Sequence, residues 1–316
     1  MVSLADVQAA AERIRPLVVR TPLERSPGLS ERCGCEVWLK LECFQATGSV
    51  KLRGALNALR NMHAPDRVIT ASAGNHGLGV ARAAALLGVS ATVVVPETAS
   101  RTKVEALRQS GADLVLFGQT YDEAEAEGRR LSRERRLPFI SAYNDASVVA
   151  GGGTVALEIV EDLPGVRTLV VPAGGGGLIS GIGVAAHALD PSIAVYGVQS
   201  VASPALHAAM TADAIVPVEV KPSLADGLAG NVEPSSMTFD LLMRHARDVV
   251  LIEEADIASA MRWLLLNERV VVEGSAAVGV AALLGSHLPL AEGPVAVVLS
   301  GRNVAASVLE QIVTAV

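Results

Sequence analysis

Along the chain, short aliphatic and β-branched runs alternate with longer stretches whose apolar positions recur every three or four residues. The runs at 37–41, 68–71, 91–95, 114–117, 169–171, 194–198 and 295–299 are dominated by Val, Leu, Ile and Ala, as strands buried between helices require. Between them, 50–62, 76–87, 100–110, 121–135 and 178–188 carry helical spacing or are rich in alanine. This alternation predicts βαβ units and parallel sheets, an α/β fold. Residues 212–236 break the rhythm: Pro217, Pro222 and Pro234 sit there among turn formers, which predicts a loop crossing the surface or rimming a site. No fixed-period repeat points to a solenoid.

A length of 316 residues predicts two lobes sharing one site. With 50% hydrophobic and only 19% charged residues the chain has ample material for buried cores, and 3% aromatics leaves Ala, Val and Leu to fill them. A formal charge of −7 without Lys/Arg clusters gives no electrostatic footprint for nucleic acid or an anionic membrane, so a small molecule is the expected partner. The basic run 129–136 is interrupted by Ser132 and Glu134 and reads as a solvated helix face. Cys33, Cys35 and Cys43, with no export signal ahead of them, predict reduced thiols in a cytoplasm, no disulfide and no metal site. The apolar stretch 166–182 is broken by Pro172 and a run of glycines, too often to cross a bilayer.

Four segments carry candidate chemistry, each where a strand ends. In the first, Thr47-Gly48-Ser49-Val50-Lys51 leads into a helix, and Lys51 is one of only four lysines against 22 arginines. Amine chemistry needs lysine there, because a guanidinium stays protonated; an ordinary first-turn surface lysine is the other reading. In the second, Ser72-Ala73-Gly74-Asn75-His76 places small residues and free helix N–H groups where a carboxylate can be held, with Asn75 offering a donor and an acceptor. His76 reads equally as catalytic or as a packing residue. In the third, Gly174-Gly175-Gly176-Gly177 forms an N–H nest at a helix start; lacking G-x-G-x-x-G organisation and a Walker ending, it suits a single phosphate or a plain tight turn. In the fourth, Ser300 follows the last strand, facing a ligand or capping a helix.

The four segments in this order resemble the serine/threonine dehydratase group of fold-type II pyridoxal-phosphate enzymes, which also contains serine racemase, and the likeness covers nearly the whole chain. The resemblance implies a tryptophan synthase β-subunit-like fold of two open, twisted, mostly parallel sheets flanked by helices. It implies a large cofactor domain from 1–51 and 146–316, a small domain inserted at 52–145, and a homodimer. It further implies that pyridoxal 5'-phosphate is held by Lys51 as a Schiff base, that Asn75 bonds its phenolic oxygen, that Gly174 to Gly177 bind its phosphate, and that Ser300 meets its ring nitrogen. The backbone of Ser72 to His76 then takes the substrate carboxylate, and Ala225-Asp226-Gly227-Leu228 and Val272-Glu273-Gly274-Ser275 border the ring and the substrate side chain. The implied reaction is loss of water from L-threonine or L-serine to give a 2-oxo acid and ammonia, with Lys51 removing the α-proton. A neutral hydroxyl at Ser300 cannot hold the ring nitrogen protonated as a carboxylate would, which favours elimination over transamination.

Several positions depart from that group. Racemases place a second serine where Ala73 stands, so racemisation is expected to be weak or absent. Metal-activated relatives have acidic ligands where residues 199–205 read Gln-Ser-Val-Ala-Ser-Pro-Ala, so no Mg²⁺ or Ca²⁺ dependence is expected there. A chain ending at Val316 is expected to lack a regulatory domain and feedback inhibition. Val50, Gly152 and Arg302 also differ, and Ser-Gly-Arg-Asn at 300–303 is similar to dehydratases of hydroxyectoine utilisation. Arg302 either pairs with a second substrate carboxylate or points to solvent. A dehydratase for another β-hydroxy amino acid (3-hydroxyaspartate, phenylserine or the hydroxyectoine type) is therefore the near alternative; a serine racemase, a β-replacement enzyme and an inactive ligand-binding protein stand further off.

Overall fold

The computed structural model describes residues 2–63 and 65–314. Nine strands are found among them: β1 Leu23–Arg25, β2 Val37–Lys40, β3 Arg67–Ala71, β4 Ser90–Val95, β5 Asp113–Leu116, β6 Thr168–Pro172, β7 Ala194–Ser200, β8 Asp248–Ile252 and β9 Val295–Val298. They form a six-stranded sheet in the order β1-β2-β9-β6-β7-β8 and a three-stranded sheet β3-β4-β5. Every pairing is parallel except β1 with β2. The two open, mostly parallel sheets and their helical layers agree with the architecture that the resemblance implies. All seven strands read from the apolar runs are present; β1 and β8 are additions. Leu23-Glu24-Arg25 is short and polar and becomes a strand only because β2 lends it a partner.

The central strands are buried on both faces, β6 and β9 throughout, so their residues need no polar alternation. At the centre of the large sheet β2, β9 and β6 are in register, with Leu39 and Val170 both opposite Val297. Their C-terminal ends therefore open side by side on one edge, where ligands of open α/β sheets bind.

The helix Ala146–Asp162 positions everything at that edge. Gly151-Gly152-Gly153 in its middle would ordinarily weaken a helix by about 1 kcal/mol each relative to alanine, but here two of them allow contact between backbones. A Cβ on Gly151 would stand 2.7 Å from the Arg53 carbonyl oxygen, and one on Gly153 would stand 2.6 Å from that of Gly181. The helix thus wedges between the helices Lys51–Asn61 and Gly177–Leu189 and fixes their starts relative to one another. A Cβ on Gly152 would meet only ordinary contacts, the nearest at 3.5 Å on Leu178.

Candidate active site

The turn before Lys51 is built from the end of β2 and fastened to the end of β9. Beyond the 3₁₀ turn Glu42–Phe44, the chain reverses through Gly48 at φ 71°, where a Cβ would lie 2.7 Å from Asn303 Oδ1. Backbone N–H groups of Val50 and Arg302 donate to the Ser300 and Gly48 carbonyls, both at 2.9 Å, and Asn303 Nδ2 donates to the Thr47 carbonyl at 2.9 Å. Ser300, buried at the strand end, is thereby set against the residue preceding Lys51.

Lys51 is the first residue of its helix, is half-buried, and donates from Nζ to the Ala142 carbonyl at 3.2 Å. Burial pushes its amine below the usual lysine value, with the Glu273 carboxylate opposing. The other three lysines are ion-paired: Lys40 with Glu158 at 2.6 Å, Lys103 with Asp226 at 2.5 Å and Lys221 with Glu219 at 3.4 Å. Among the described residues Lys51 has no carboxylate within ion-pairing distance and keeps an amine free for chemistry.

The end of β3 supplies the second wall. Ser72 accepts from the Gly74 N–H at 3.1 Å, and the helix Asn75–Leu87 begins without a side-chain cap, leaving first-turn N–H groups for an anion. A Cβ on Gly79 would lie 3.1 Å from the Lys51 carbonyl, so this helix packs directly on the Lys51 backbone. Ala73 is partly buried against Val93, Val95, Val104 and Leu107. His76 is only 3% exposed, and its Nε2 meets the Ile140 carbonyl at 3.1 Å, which makes Nε2 the protonated nitrogen and leaves Nδ1 without a partner. Burial, with the positive charge of Lys51, lowers its pKa to about 3. Its burial and its bond to the Ile140 carbonyl support the packing reading of His76.

Gly174 to Gly177 form the third wall, and their lack of side chains is required on the protein side as well. A Cβ on Gly174 would stand 3.1 Å from Leu228 Cα, on Gly175 2.4 Å from the Tyr143 ring, on Gly176 2.9 Å from Thr238, and on Gly177 2.9 Å from Tyr143 Cα. Gly176 also has φ 92°, and the helix Gly177–Leu189 starts with no side-chain cap. Tyr143 adjoins Ala142, which accepts from Lys51, so the glycine turn and the amine are neighbours through two consecutive residues. Residues 212–236 do rim this edge: Leu228 covers Gly174, Asp226 reaches Lys103, and Glu233 reaches Arg129 at 2.8 Å.

Two contributors went unread in the sequence, and a third, Asn303, was noted only as part of Ser-Gly-Arg-Asn. Tyr143 and Thr238 close over the glycines, Thr238 donating to the Gly175 carbonyl at 2.8 Å; one of only three tyrosines in a chain poor in aromatics was the available signal for the first, and none existed for the second. Asn303 donates to Asn75 Oδ1 at 2.7 Å. Arg302 is exposed, its guanidinium 5.2 Å from the centre of the Phe44 ring. At residues 199–205, Gln199 Oε1 accepts from the Leu206 and His207 N–H groups at 2.9 and 3.0 Å. Among the described residues no three acidic, His or Cys side chains are gathered to hold a metal ion, and no helix is long and apolar enough to cross a membrane.

A family model described as "Pyridoxal-phosphate dependent enzyme" matches residues 14–301. The chain belongs to that family. Pyridoxal 5'-phosphate is the cofactor of this pyridoxal-phosphate dependent enzyme. It is 41% identical to the L-threonine ammonia-lyase of Thermotoga maritima over 316 residues, 99% of this chain and 78% of that one. Among solved structures, maize serine racemase superimposes with a TM-score of 0.93 at 30% identity, covering 98% of this chain and 96% of that one. The processed form of threonine deaminase isoform 2 from Solanum lycopersicum superimposes at 0.91 and 31% identity, covering 98% and 91%. These relatives set the family member within the serine/threonine dehydratase group.

Proposed function

We propose that this enzyme is an L-threonine/L-serine ammonia-lyase, removing water from the amino acid to leave a 2-oxo acid and ammonia, with Lys51 as the residue that carries the cofactor and moves the α-proton. The observation that carries the reading is the amine of Lys51, the one lysine without an ion-pair partner among the described residues, bonded to the Ala142 carbonyl next to the Tyr143 that closes on the glycine turn. The residues suit the cofactor: a glycine turn closed to side chains precedes N–H groups aimed at an anion, and a depressed amine stands beside it. When bound, pyridoxal 5'-phosphate supplies an aldehyde for amines and a conjugated ring that spreads negative charge from the α-carbon.

Around it the chain's own groups divide the work. Gly174 to Gly177 would hold the phosphate, Asn75 would donate to the phenolic oxygen, and Ser300 would offer the ring nitrogen a neutral hydroxyl that cannot keep a proton there. The N–H groups of Ser72 to His76 bind the substrate carboxylate and orient the α-carbon. The Lys51 amine, held below the usual lysine value by burial, would take the α-proton. The ion pairs Lys103–Asp226 and Arg129–Glu233 join residues of the 52–145 segment to the rim loop. The division into 1–51 with 146–316 and an inserted 52–145 belongs to the same proposal, as do a homodimer and a cytoplasmic setting; the three-stranded sheet, confined to 67–116, supports the first.

The Thermotoga relative's name supports threonine as substrate. A panel of L-threonine, L-serine, 3-hydroxyaspartate and phenylserine, followed by 2-oxo acid release, tests it; a preference for a bulky or doubly charged substrate by orders of magnitude in kcat/KM would overturn it. Arg302, lying over Phe44, gives no support to a second carboxylate site.

Two further outcomes are expected. Racemisation needs a proton carrier on the substrate face opposite Lys51, and Ala73 offers a methyl group. L-serine should therefore yield pyruvate with D-serine formed at least about 100-fold more slowly, and chiral chromatography showing the two products at comparable rates contradicts this. Gly175→Ala must push a methyl into the Tyr143 ring, and it is expected to weaken cofactor retention by roughly 10- to 100-fold; equilibrium dialysis with unchanged affinity would remove the glycine turn from the phosphate site.

A further inference from the structure

None of the proton transfers above uses Glu273, yet its carboxyl is built into the site. Glu273 stands at the N-cap of the helix Gly274–Leu284 but makes no capping bond with its side chain. The carboxyl turns inward, is buried, and accepts from Asn75 Nδ2 through Oε1 at 2.6 Å. Gly301 makes the space: a Cβ there would stand 2.2 Å from Glu273 Oε1 and 3.1 Å from Asn75 Nδ2. At the other end of the same amide, Asn75 Oδ1 accepts from Asn303 Nδ2 at 2.7 Å, and Asn303 is itself tied to the Thr47 carbonyl.

The Asn75 amide is thus clamped from both sides, with its sense defined by chemistry. The Asn303 Nδ2, tied also to the Thr47 carbonyl, can only donate, and the ionised Glu273 can only accept, so turning Asn75 over would set N–H against N–H at Asn303 and, with Glu273 ionised, oxygen against oxygen as well. One Nδ2 hydrogen remains uncommitted.

We infer that Glu273 is a positioning residue which, with Asn303 as the second anchor, presents that remaining Asn75 N–H to the cofactor, and that its charge state is felt at the ring. The inference rests on the reading that Asn75 meets the cofactor. The groups facing Glu273 come from every element around it: Asn75 from the helix after β3, Asp226 from the rim loop, Lys103 from the helix Arg101–Gln109, Lys51, and Cys43 from the turn after β2. Burial raises the carboxyl to about 7; Asp226 adds to the rise, while the Asn75 bond, Lys103 and Lys51 hold it back. As the pH climbs through neutrality the carboxyl loses its proton and a negative charge forms beside the amide, whereas its acceptor oxygen is present in both states.

Geometry and charge separate in three variants. Glu273→Gln keeps an oxygen that accepts from Asn75 but cannot titrate; Glu273→Ala removes both properties; Asn303→Ala removes the other anchor. Each is compared with wild type by the visible absorbance of bound cofactor across the neutral range, by cofactor affinity without substrate, by kcat and KM, and by melting of the cofactor-free protein. Glu273→Gln is expected to retain cofactor affinity within about threefold and to lose a spectral transition near pH 7 that wild type shows. Glu273→Ala is expected to weaken affinity by about 10-fold or more and to displace the band, with Asn303→Ala displacing it the same way. A Gln variant that keeps the wild-type transition, or an Ala variant with band and affinity unchanged, overturns the inference. Borohydride reduction and peptide mapping of wild type separates the two levels: an unlabelled Lys51 brings down the reading of the site, whereas a labelled Lys51 with indifferent Glu273 variants brings down this inference alone.

Discussion

Lys51→Ala is expected to abolish 2-oxo acid release from L-threonine, a loss on the order of 1,000-fold or more, while the protein still folds. The size of the loss follows from two tasks resting on one amine, cofactor attachment and removal of the α-proton. Survival of the fold follows from how little else Lys51 holds: its side chain makes one hydrogen bond, to the Ala142 carbonyl, and its removal strands no buried counter-charge at ion-pairing distance. Lys51→Arg should fail as completely, because a guanidinium neither condenses with an aldehyde nor accepts a proton near neutrality. Lys40 cannot step in, since it is buried and held by Glu158 at 2.6 Å, and Lys103 and Lys221 lie on other elements, paired with Asp226 and Glu219. Steady-state assays on both variants, with melting curves to verify folding, check the expectation; activity within about tenfold of wild type in either would disprove the assignment.

How much of this was legible in the chain depended on whether a residue's role is local or supplied by a partner. The buried strands were legible because both of their faces are covered, so their apolar runs are uninterrupted. The 72–76 turn and the four glycines stood out because each follows such a run directly, and Lys51 because it is one of four lysines and opens a helix after a turn beyond β2. The helix Ala146–Asp162 was not: three consecutive glycines argue against a helix, and only the approach of the Arg53 and Gly181 carbonyls makes them favourable. The strand β1 depends likewise on a partner, and Tyr143 and Thr238 matter through glycines far away in sequence. Glu273 could be marked as bordering the site, yet its inward turn depends on Gly301 and Asn75, which only the fold brings to it. His76 read equally as catalytic or as packing from its neighbours, and its burial, which only the fold supplies, supports packing.

Arg53→Met is expected to destabilise the enzyme by about 3–5 kcal/mol, the cost of leaving a buried carboxylate without its cation. Arg53 is 1% exposed and Glu42 is fully buried; Nε and Nη2 of the arginine grip the two Glu42 oxygens at 2.8 Å each, in a planar fork. Nη1 and Nη2 extend the network to Glu158 at 2.7 and 2.9 Å, and Lys40 joins the same carboxylate at 2.6 Å. Glu42 follows β2, Arg53 lies two residues beyond Lys51, and Glu158 belongs to the wedge helix, so the cluster pins the elements that aim the amine. Burial pushes the Glu42 carboxyl up, and Arg53, with Thr21 and Lys40, more than reverses it, leaving the value below the ordinary 4.5. Glu42 is then more acidic folded than unfolded: its contribution is complete above about pH 4.5 and drains away as the pH falls through the folded value. Arg53→Met should remove that acid lability together with the stability, whereas Glu42→Leu combined with Arg53→Met should cost less than the two single changes added, because no unpaired charge is left in that pair. Urea midpoints at neutral and mildly acidic pH measure both effects. A shift below about 1 kcal/mol for Arg53→Met would mean that water or Lys40 replaces the guanidinium, and that the cluster does not hold the Lys51 helix in place.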